Sequence, residues 1–280
     1  MDKPSPRRMR SFRARIRAHY RRHGRSLPWR ETRDPYRILV SEVMLQQTQV
    51  GRVRPKYAAF LRAFPDVAAL AAASLEQVLR AWQGLGYNRR AVALQRTARL
   101  LLRDHGGSVP QEQEALLALP GIGPATAAAI RAFAFDAPAV FIETNIRRVF
   151  IHEFFPGHAA VADAEVLPLV AASLDRRRPR EWYYALMDYG AALARRVENP
   201  NRRSRTYVRQ SPFAGSDRQV RGAILRALVG GGALAAGTLA RAAAADRLRV
   251  GRLLVDLARE GFVQRVGGRF RIADGGETTS

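Results

Sequence analysis

The sequence predicts an all-α fold that ends in a small winged-helix-like domain. Apolar residues recur at helical spacing along most of the chain, and a convincing alternating strand pattern is absent until about the last thirty residues. A polar, arginine-rich stretch at residues 194–215 interrupts the helical pattern and indicates a linker or a loose loop. These observations place a large helical region before the linker and a short unit after it.

The helical region is expected to begin with a basic helix at residues 7–23, whose apolar face carries Phe12, Ile16 and Tyr20. Asp34 followed by Pro35 has the pattern of an N-cap and a first-turn proline, so a second helix is predicted from there to Gln47. Further helices are expected at about 53–64, 74–83, 88–104 and 112–118.

After the linker, the sequence predicts helices at residues 218–229, 233–243 and 248–260. Residues 261–272 then alternate apolar and polar side chains around Gly267 and Gly268, which is a β-hairpin pattern. Three helices followed by a hairpin suggest a winged helix over residues 209–273, with residues 274–280 as a disordered tail. The alternative is a helical tail that only completes the main core.

The charge balance predicts a polyanionic partner. The 280 residues include 47 Lys and Arg against 24 Asp and Glu, which gives a net charge of +23. Nearly all the cations are arginines, whose planar guanidinium suits phosphate oxygens, so nucleic acid is the expected partner. A GC-rich genome is an alternative source of the arginines, but it does not explain the scarcity of acidic residues.

The absence of cysteine excludes disulfides, a thiolate nucleophile and a cysteine-ligated zinc or iron–sulfur site. The five histidines show no ligand spacing, so neither a metal nor a cofactor is expected. No signal-peptide pattern and no apolar run long enough to span a bilayer are visible. We therefore expect a cytoplasmic monomer without membrane association.

Residues 119–127, Leu-Pro-Gly-Ile-Gly-Pro-Ala-Thr-Ala, lie between two helical patterns. Gly121 and Gly123 permit a tight turn with outward-facing backbone N–H groups, and the second helix begins there with the positive end of its dipole. This pattern predicts a helix-hairpin-helix that holds a phosphate without recognising base sequence. The alternative is an ordinary corner between two helices.

Glu42 interrupts the apolar face of its predicted helix, since Leu39 lies one turn before it and Leu45 three residues after it. An ionised carboxyl is costly in that position, so the pKa of Glu42 is expected to rise until the group can donate a proton near neutral pH. The alternative is a surface glutamate at the edge of the apolar face.

Glu143 has the opposite predicted setting. It lies near the start of a helix, with Arg147 and Arg148 one turn on, and both features favour the carboxylate. One protonated and one ionised carboxyl are what cleavage of a glycosidic bond requires, because the acid activates the leaving group and the carboxylate stabilises the oxocarbenium-like sugar. The alternative role for Glu143 is a helix cap.

Together these segments resemble the helix-hairpin-helix DNA glycosylase superfamily, and within it the adenine DNA glycosylases of MutY type. The resemblance spans about residues 25–193, and its most specific string is Ser-Glu-Val-Met-Leu-Gln-Gln-Thr-Gln-Val at residues 41–50. The matching stretches are Leu27–Arg30, Asp34–Tyr36, Ser41–Val50, Gly84–Tyr87, Leu119–Thr126, Glu143–Val149 and Met187–Gly190.

The resemblance implies a two-lobed all-α fold. One lobe would combine residues 1–30 with 136–208, as a cluster-free counterpart of the family's iron–sulfur lobe. The other, a six-helix lobe at residues 31–135, would carry the helix-hairpin-helix. The active site would lie in the cleft between them, where bent duplex DNA presents a flipped nucleotide.

The resemblance also implies site residues. The family's catalytic acid falls on Glu42. Its base pocket falls on Arg25, Leu27, Trp29, Arg30 and Asp188. Its DNA-contacting positions, including those that enter the base stack, fall on Gln46, Gln47, Tyr87, Gly121, Ile122, Gly123 and Thr126. By sequence reasoning alone, Trp29 and Tyr87 could equally be core aromatics.

The chain departs from the family pattern at several positions. The family's catalytic aspartate is Glu143 here, which keeps the charge and adds one methylene. Ala194 stands where the first of four cluster cysteines would be, so no iron–sulfur cluster is expected and the basic loop at 195–209 takes its place. The predicted winged helix stands where the family has its domain for recognition of 8-oxoguanine, so we do not expect that domain in this sequence. Ala125 stands where bifunctional relatives have a lysine that attacks the sugar, so efficient AP lyase activity is not expected.

The sequence thus predicts a monofunctional DNA glycosylase of base excision repair. Its expected partner is double-stranded DNA with a mispaired or damaged base, most specifically adenine opposite guanine or 8-oxoguanine, and its expected location is the nucleoid. One alternative is a thymine or uracil mismatch glycosylase on the same scaffold. The other is a non-catalytic DNA-binding protein.

Overall fold

Helices make up most of the structure, a computed structural model that describes residues 4–274. Those before residue 200 are α1 (Pro6–His23), α2 (Pro35–Leu45), α3 (Val50–Ala63), α4 (Val67–Ala72), α5 (Leu75–Trp82), α6 (Arg89–His105), α7 (Gln113–Leu117), α8 (Pro124–Phe135), α9 (Thr144–Phe154), α10 (Asp163–Ser173) and α11 (Pro179–Leu193). Two short 3-10 helices are Pro28–Arg30 and Pro200–Arg203. The C-terminal elements are α12 (Asp217–Gly231), β1 (Leu234–Ala235), α13 (Ala236–Ala243), α14 (Arg247–Arg259), β2 (Val263–Val266) and β3 (Arg269–Ile272).

Local capping accounts for several of these bounds. Asp34 opens α2 as predicted, because its Oδ1 accepts hydrogen bonds from the backbone N–H groups of Tyr36 and Arg37 at 2.9 and 3.3 Å. The helix ends at Leu45 rather than at Gln47, since Gln47 adopts a left-handed backbone conformation with φ of 52°. The short helix α4, which begins after the N-cap Asp66, was not predicted.

The sheet has three strands, one more than the predicted hairpin contains. The predicted helix at 233–243 begins only at Ala236, because residues 234 and 235 form β1. The predicted hairpin is present: β2 and β3 pair antiparallel, β1 pairs with the other edge of β3, and the sheet order is β1-β3-β2. Of the predicted tail at 274–280, Asp274 forms an ion pair with Arg271, and the other residues lie outside the described part of the chain.

The described residues divide into two compact units at positions that differ from the predicted domains. The first unit contains residues 4–42, 110–118 and 122–209, and the second contains residues 43–109, 119–121 and 210–274. The predicted six-helix lobe at 31–135 is thus shared between the two units. The predicted C-terminal domain belongs with residues 43–109, because α12 packs against α5.

The core of the first unit is rich in aromatic side chains. Phe12 of α1 contacts Phe150, Phe154 and Trp182, with ring centroids 5.0–6.1 Å apart. Helices α9 and α11 pack closely, and a Cβ at Gly190 of α11 would lie 2.4 Å from the carbonyl oxygen of Asn145. Only glycine therefore permits this approach of α11 to the first turn of α9.

The second unit joins α3–α6 to the C-terminal elements. Phe60 of α3 and Trp82 of α5 are fully buried, and their ring centroids lie 5.8 Å apart. Leu228, Leu253 and Phe262 belong to the buried part of the C-terminal elements. No helix between residues 4 and 274 combines the length and apolar character needed to cross a bilayer.

Candidate active site

Two partly exposed carboxyl side chains in the first unit form the centre of the candidate site. Glu42 lies on α2 between buried neighbours, Ser41 and Val43. Glu143 is the N-cap of α9. Each side chain is surrounded by protein but keeps some contact with solvent, which an acid or base needs in order to reach a substrate.

The environment of Glu42 keeps this carboxyl protonated at neutral pH. Burial, together with the negative charge of Glu143, raises the pKa of Glu42 from 4.5 to about 8, while the positive charge of Arg30 opposes the shift. The sequence-based expectation of a raised pKa for Glu42 thus agrees with the structure. At neutral pH this group is a carboxylic acid that has a proton to donate.

Glu143 caps α9 with its own side chain. Its Oε1 accepts hydrogen bonds from the N–H groups of Asn145 and Ile146 at 2.8 and 2.9 Å, and its Oε2 accepts one from Asn145 Nδ2 at 3.2 Å. The capping role left open by the sequence is therefore real. It does not exclude a catalytic one, because the cap fixes the carboxyl at a defined place beside Glu42.

The expected pKa direction for Glu143 was wrong. Burial raises the pKa of Glu143 above its usual value, and the three capping hydrogen bonds and the charge of Arg148 oppose this shift without cancelling it. Desolvation was invisible in the sequence, where only the helix terminus and the arginines could be seen. The negative charge of Glu143 is in turn one of the causes of the raised pKa of Glu42.

Three predicted pocket residues come together around one buried carboxylate. Asp188 of α11 receives two hydrogen bonds from the Arg30 guanidinium, at 2.8 and 2.9 Å, and two from Arg25, through its backbone N–H at 2.8 Å and its Nε at 2.6 Å. The Asp188 side chain is 1% exposed. Although burial opposes it, these contacts hold the pKa of Asp188 below its usual value, so Asp188 is a fixed anion that orients both arginines.

Arg30 is also fixed by an aromatic ring. Its guanidinium carbon lies 4.4 Å from the ring centroid of Tyr184. Arg180 supports the 3-10 helix that carries Arg30, because its Nη2 donates to the carbonyl groups of Arg30 and Thr32. Neither Tyr184 nor Arg180 was predicted as a site residue, since a buried tyrosine or arginine in a helix has no signature of its own in the sequence.

The other two predicted pocket residues, Leu27 and Trp29, are buried in the first unit, with 6% and 4% of their surface exposed. Both flank Pro28 at the start of the 3-10 helix. Their burial agrees with the core alternative raised for Trp29, and it is equally compatible with a wall behind a bound base.

Four predicted DNA-contacting residues lie in the second unit: Gln46, Gln47, Tyr87 and Gly121. Gln47 is exposed with φ of 52°, Tyr87 is 37% exposed with φ of 48°, and Gln46 donates from Nε2 to the carbonyl of Gly121 at 3.2 Å. A positive φ is uncommon for residues other than glycine and indicates a tightly determined backbone. Tyr87 is therefore not the core aromatic that the sequence also allowed.

Arg90 organises this region and was not predicted. Its Nη1 donates to the carbonyl groups of Val43, Met44 and Gln46 at 2.6–2.9 Å, and its Nη2 donates to Thr48 Oγ1 at 2.9 Å. It thereby satisfies carbonyl groups that the end of α2 leaves without intrahelical partners. Burial lowers the pKa of Arg90 to about 10, which still leaves it charged at neutral pH.

The predicted hairpin connects α7 with α8. Gly121 has φ of 77°, and a Cβ there would lie 2.9 Å from the Cβ of Ala93 on α6, so glycine is required on both counts. Gly123 is the N-cap of α8. Ile122 is buried, so that any contact it makes with DNA must come from its backbone, and Thr126 is half-buried in the first turn of α8.

The iron–sulfur cluster that the family resemblance brought into question does not fit this chain. Such a cluster needs four thiolate ligands, and the chain contains no cysteine. Ala194, at the position of the first expected ligand, is the C-cap of α11. No group of three or more His, Asp or Glu between residues 4 and 274 could hold a metal ion either.

Hydrogen bonds hold the loop that stands in the place of the cluster. Buried Asn201 donates from Nδ2 to the carbonyl of Thr144 at 3.0 Å, in the first turn of α9. Arg203 donates to the carbonyl of Phe155 at the other end of α9, and its own carbonyl accepts a hydrogen bond from the N–H of Val161 at 2.7 Å. The part of the loop around Asn201 and Arg203 is thus not the linker or loose loop that its composition predicted, because these two side chains attach it to α9.

Comparisons with known proteins find similarity to DNA glycosylases. A family model described as HhH-GPD superfamily base excision DNA repair protein matches residues 40–169. The chain is 37% identical to an adenine DNA glycosylase of Mycolicibacterium smegmatis, over 91% of this chain and 93% of that protein. It is 34% identical to a thymine/uracil-DNA glycosylase of Methanothermobacter thermautotrophicus, over 69% of this chain and 89% of that protein.

Solved structures show the same fold. The structure of a thermostable thymine-DNA glycosylase matches with a TM-score of 0.60 at 28% identity, over 66% of this chain and 87% of that chain. A trapped endonuclease III–DNA covalent intermediate matches with a TM-score of 0.59 at 19% identity, over 68% and 88% of the two chains. The helical fold class predicted from the sequence is confirmed.

Proposed function

The chain belongs to the HhH-GPD superfamily of base excision DNA repair proteins and is a DNA glycosylase, and we propose that the base it removes is a mispaired adenine. The observation that carries this proposal is the carboxyl pair of Glu42 and Glu143. The similarity to adenine DNA glycosylases over most of the chain favours adenine over other bases.

In the proposed reaction, Glu42 donates its proton to a ring nitrogen of the flipped adenine. The base leaves with the electron pair of the bond between its nitrogen and C1′ of the sugar. Glu143 stabilises the positive charge that develops on the sugar, with its orientation fixed by the α9 cap. Water then adds its oxygen to C1′ and returns a proton to the Glu42 carboxylate, which restores the acid.

Arg25, Leu27, Trp29, Arg30 and Asp188 are the residues that we assign to the base pocket. Asp188 holds both arginines in place, and Arg30 contributes to the field at Glu42 because its charge lowers the pKa of that acid. Arg30 also has a buried Nε–H without a hydrogen-bond partner among residues 4–274. A donor of this kind suits a ring nitrogen or a carbonyl oxygen of a base.

The enzyme is proposed to lack efficient AP lyase activity. Ala125 is exposed in the first turn of α8, and its methyl group cannot attack the sugar to form a Schiff base. Incubation with substrate and sodium borohydride is therefore expected to trap little covalent protein–DNA complex. The Ala125→Lys variant serves as the control that restores the amine, and abundant trapping by the unmodified enzyme contradicts the proposal.

Double-stranded DNA is the proposed partner, held by the backbone N–H groups around Gly121 and Gly123 and contacted by Gln46, Gln47 and Tyr87. A positive chain with a helix N-terminus at Gly123 attracts phosphate without recognising base sequence. The monomeric state and the location on the nucleoid remain predictions from the sequence.

A thymine or uracil mismatch glycosylase is the second candidate. It is favoured by the likeness to the thymine/uracil-DNA glycosylase and to the thymine-DNA glycosylase structure. It shares the scaffold and differs in the base that the pocket accepts, so only a substrate comparison separates the two.

A strand-cleavage panel tests the proposal. Duplexes with A, T, U, C or hypoxanthine opposite G, and with the same bases opposite 8-oxoguanine, are incubated with the enzyme and then treated with alkali to cut at abasic sites. We expect cleavage at adenine, and cleavage at thymine or uracil alone supports the second candidate. If no duplex is cut while all are bound, the protein is a non-catalytic DNA-binding protein.

A further inference from the structure

Residues 216–273, called here the C-terminal module, contain two helices joined by a short turn. Helix α13 ends at Ala243, the turn passes through Ala244 with φ of 48°, and Asp246 caps α14 by accepting a hydrogen bond from the N–H of Arg249 at 2.8 Å. Two helices joined in this way are the unit with which many DNA-binding proteins present the second helix to the major groove. Helix α14 occupies the place of that second helix.

The outward face of α14 mixes arginines with aliphatic side chains. Leu248 and Val255 are 88% and 58% exposed, and the exposed Arg252 and Arg259 lie at helical spacing along the same face, opposite the buried leucines of α14. Arginine binds phosphates and guanine edges, and aliphatic side chains contact thymine methyl groups. The face therefore carries both kinds of side chain that bind duplex DNA.

The charge of the C-terminal module is strongly positive. Residues 216–273 contain eleven arginines and four acidic residues. Two of the four acidic residues, Asp217 and Glu260, each bind two arginines and so present little free negative charge. Arg247 of α14 and Arg265 and Arg269 of the hairpin are exposed, and none of the three forms an ion pair with a residue between 4 and 274. Their charge is available to a polyanion.

Ion pairs and hydrogen bonds attach the C-terminal module to the segment around Tyr87. Glu260, at the end of α14, accepts two hydrogen bonds from Arg89 at 2.7 and 2.8 Å and one from Arg221 at 2.5 Å. Arg218 donates from Nη1 to the Tyr87 hydroxyl at 3.1 Å. Tyr87 has a strained backbone and is one of the residues assigned to DNA contact under the proposed function.

We propose that the C-terminal module is a winged helix that binds the same DNA duplex as Tyr87. The outward face of α14 contacts one groove, and Arg247, Arg265 and Arg269 bind phosphates. This second DNA surface adds affinity without recognising the excised base, and it shares no residue with the carboxyl pair or the helix-hairpin-helix. Because the module is fixed next to Tyr87, DNA that contacts Tyr87 also passes along the module.

The test compares two triple variants of the full chain. The module variant carries Arg247→Ala, Arg265→Ala and Arg269→Ala. The matched control carries Arg7→Ala, Arg10→Ala and Arg22→Ala on α1, which removes the same charge from exposed arginines of the first unit. Fluorescence anisotropy then measures the Kd for a 30-base-pair duplex over a series of salt concentrations.

Each lost phosphate contact lowers the slope of log Kd against log salt by about 0.9. The module variant lacks three such contacts, so its slope is expected to be lower than that of the wild type by roughly 2–3. Its Kd at low salt is expected to rise about tenfold or more, and the control is expected to lose a slope of less than about 1. A third variant with lysine at the same three module positions retains charge and is expected to recover most of the binding.

Single-turnover excision with saturating enzyme separates this inference from the proposed function. The module variant is expected to excise at the wild-type rate once DNA is bound, because the carboxyl pair is untouched. Equal Kd values and slopes for the module variant and the control overturn the proposal, and the exposed face of α14 is then a surface for a protein partner. Melting temperatures of all variants within a few degrees of wild type show that the comparison concerns binding and not folding.

Discussion

The excision rate is expected to fall as pH rises through about 8, because Glu42 must carry a proton to act as the acid. With a pKa of about 8, roughly nine-tenths of Glu42 is protonated at pH 7, whereas a carboxyl with the usual value of 4.5 would be protonated in about three molecules per thousand. Burial and the charge of Glu143 thus increase the working form of the acid roughly 300-fold at pH 7.

Two substitutions separate the acid from the cause of its pKa. Glu42→Gln keeps the shape and removes the acidic proton, so the rate is expected to fall by about 10²–10⁴ at and below pH 7, and to lose the decline around pH 8, while DNA binding is retained. Glu143→Gln removes the charge that helps raise the pKa of Glu42, so the remaining activity is expected to decline at a lower pH than in the wild type. Glu181→Gln, at an exposed position, is the control for the loss of one charge and should leave the profile unchanged.

The assay is single-turnover excision with enzyme in excess, from pH 5 to pH 10, followed by alkali and separation of the cut strand. Saturating enzyme removes any contribution from weaker DNA binding at high pH. A wild-type rate that stays level or rises between pH 6 and 9.5 would refute the assignment of Glu42 as the acid. So would a Glu42→Gln variant that keeps more than a tenth of the wild-type rate.

Three further outcomes are expected. Glu42→Gln should also stabilise the protein at neutral pH, because the carboxyl of Glu42 ionises above pH 4.5 in the unfolded chain but stays protonated up to about pH 8 in the folded protein; thermal melts should show a gain that is near zero at pH 4.5 and about 3 kcal/mol at pH 7. Gly190→Ala should cost about 2–3 kcal/mol, since its Cβ would lie 2.4 Å from the Asn145 carbonyl oxygen, whereas Gly222→Ala meets open space and should be neutral or slightly stabilising in urea titrations. Asn201→Ala should lower kcat with little change in the Kd for DNA, because it frees the first turn of α9 from the loop; a variant that changes only Kd would contradict this role.

Residues whose role depends on local pattern were predictable from the sequence. Glu42 is a carboxyl in an apolar stretch, Asp34 and Pro35 start a helix, and Gly121 and Gly123 form a turn, because each depends on neighbours within a few positions. Arg90 and Arg180 were not predictable, since each binds carbonyl groups far away along the chain. A buried arginine that satisfies the ends of other elements resembles any surface arginine in the sequence.

Glu143 shows most clearly what a local sequence pattern leaves undetermined. Its place before a helix predicted a cap and an ionised carboxylate, and the cap is present. The predicted direction of its pKa shift was wrong. Desolvation depends on how closely distant segments pack around the carboxyl, and no local sequence pattern reports that packing.

The sequence by itself determined the superfamily, the helical class, the positions of the two carboxyls and the lack of cluster ligands, because strings, spacing and composition carry these features. Only the tertiary structure decided that Glu143 lies close enough to Glu42 to raise its pKa. It likewise decided that Asp188 holds Arg25 and Arg30, that Asn201 attaches the cluster-free loop to α9, and that Glu260 joins the C-terminal module to Arg89. The physical reason is the same in each case: charge interaction and burial depend on distance in space, and the chain brings these residues together only when it folds.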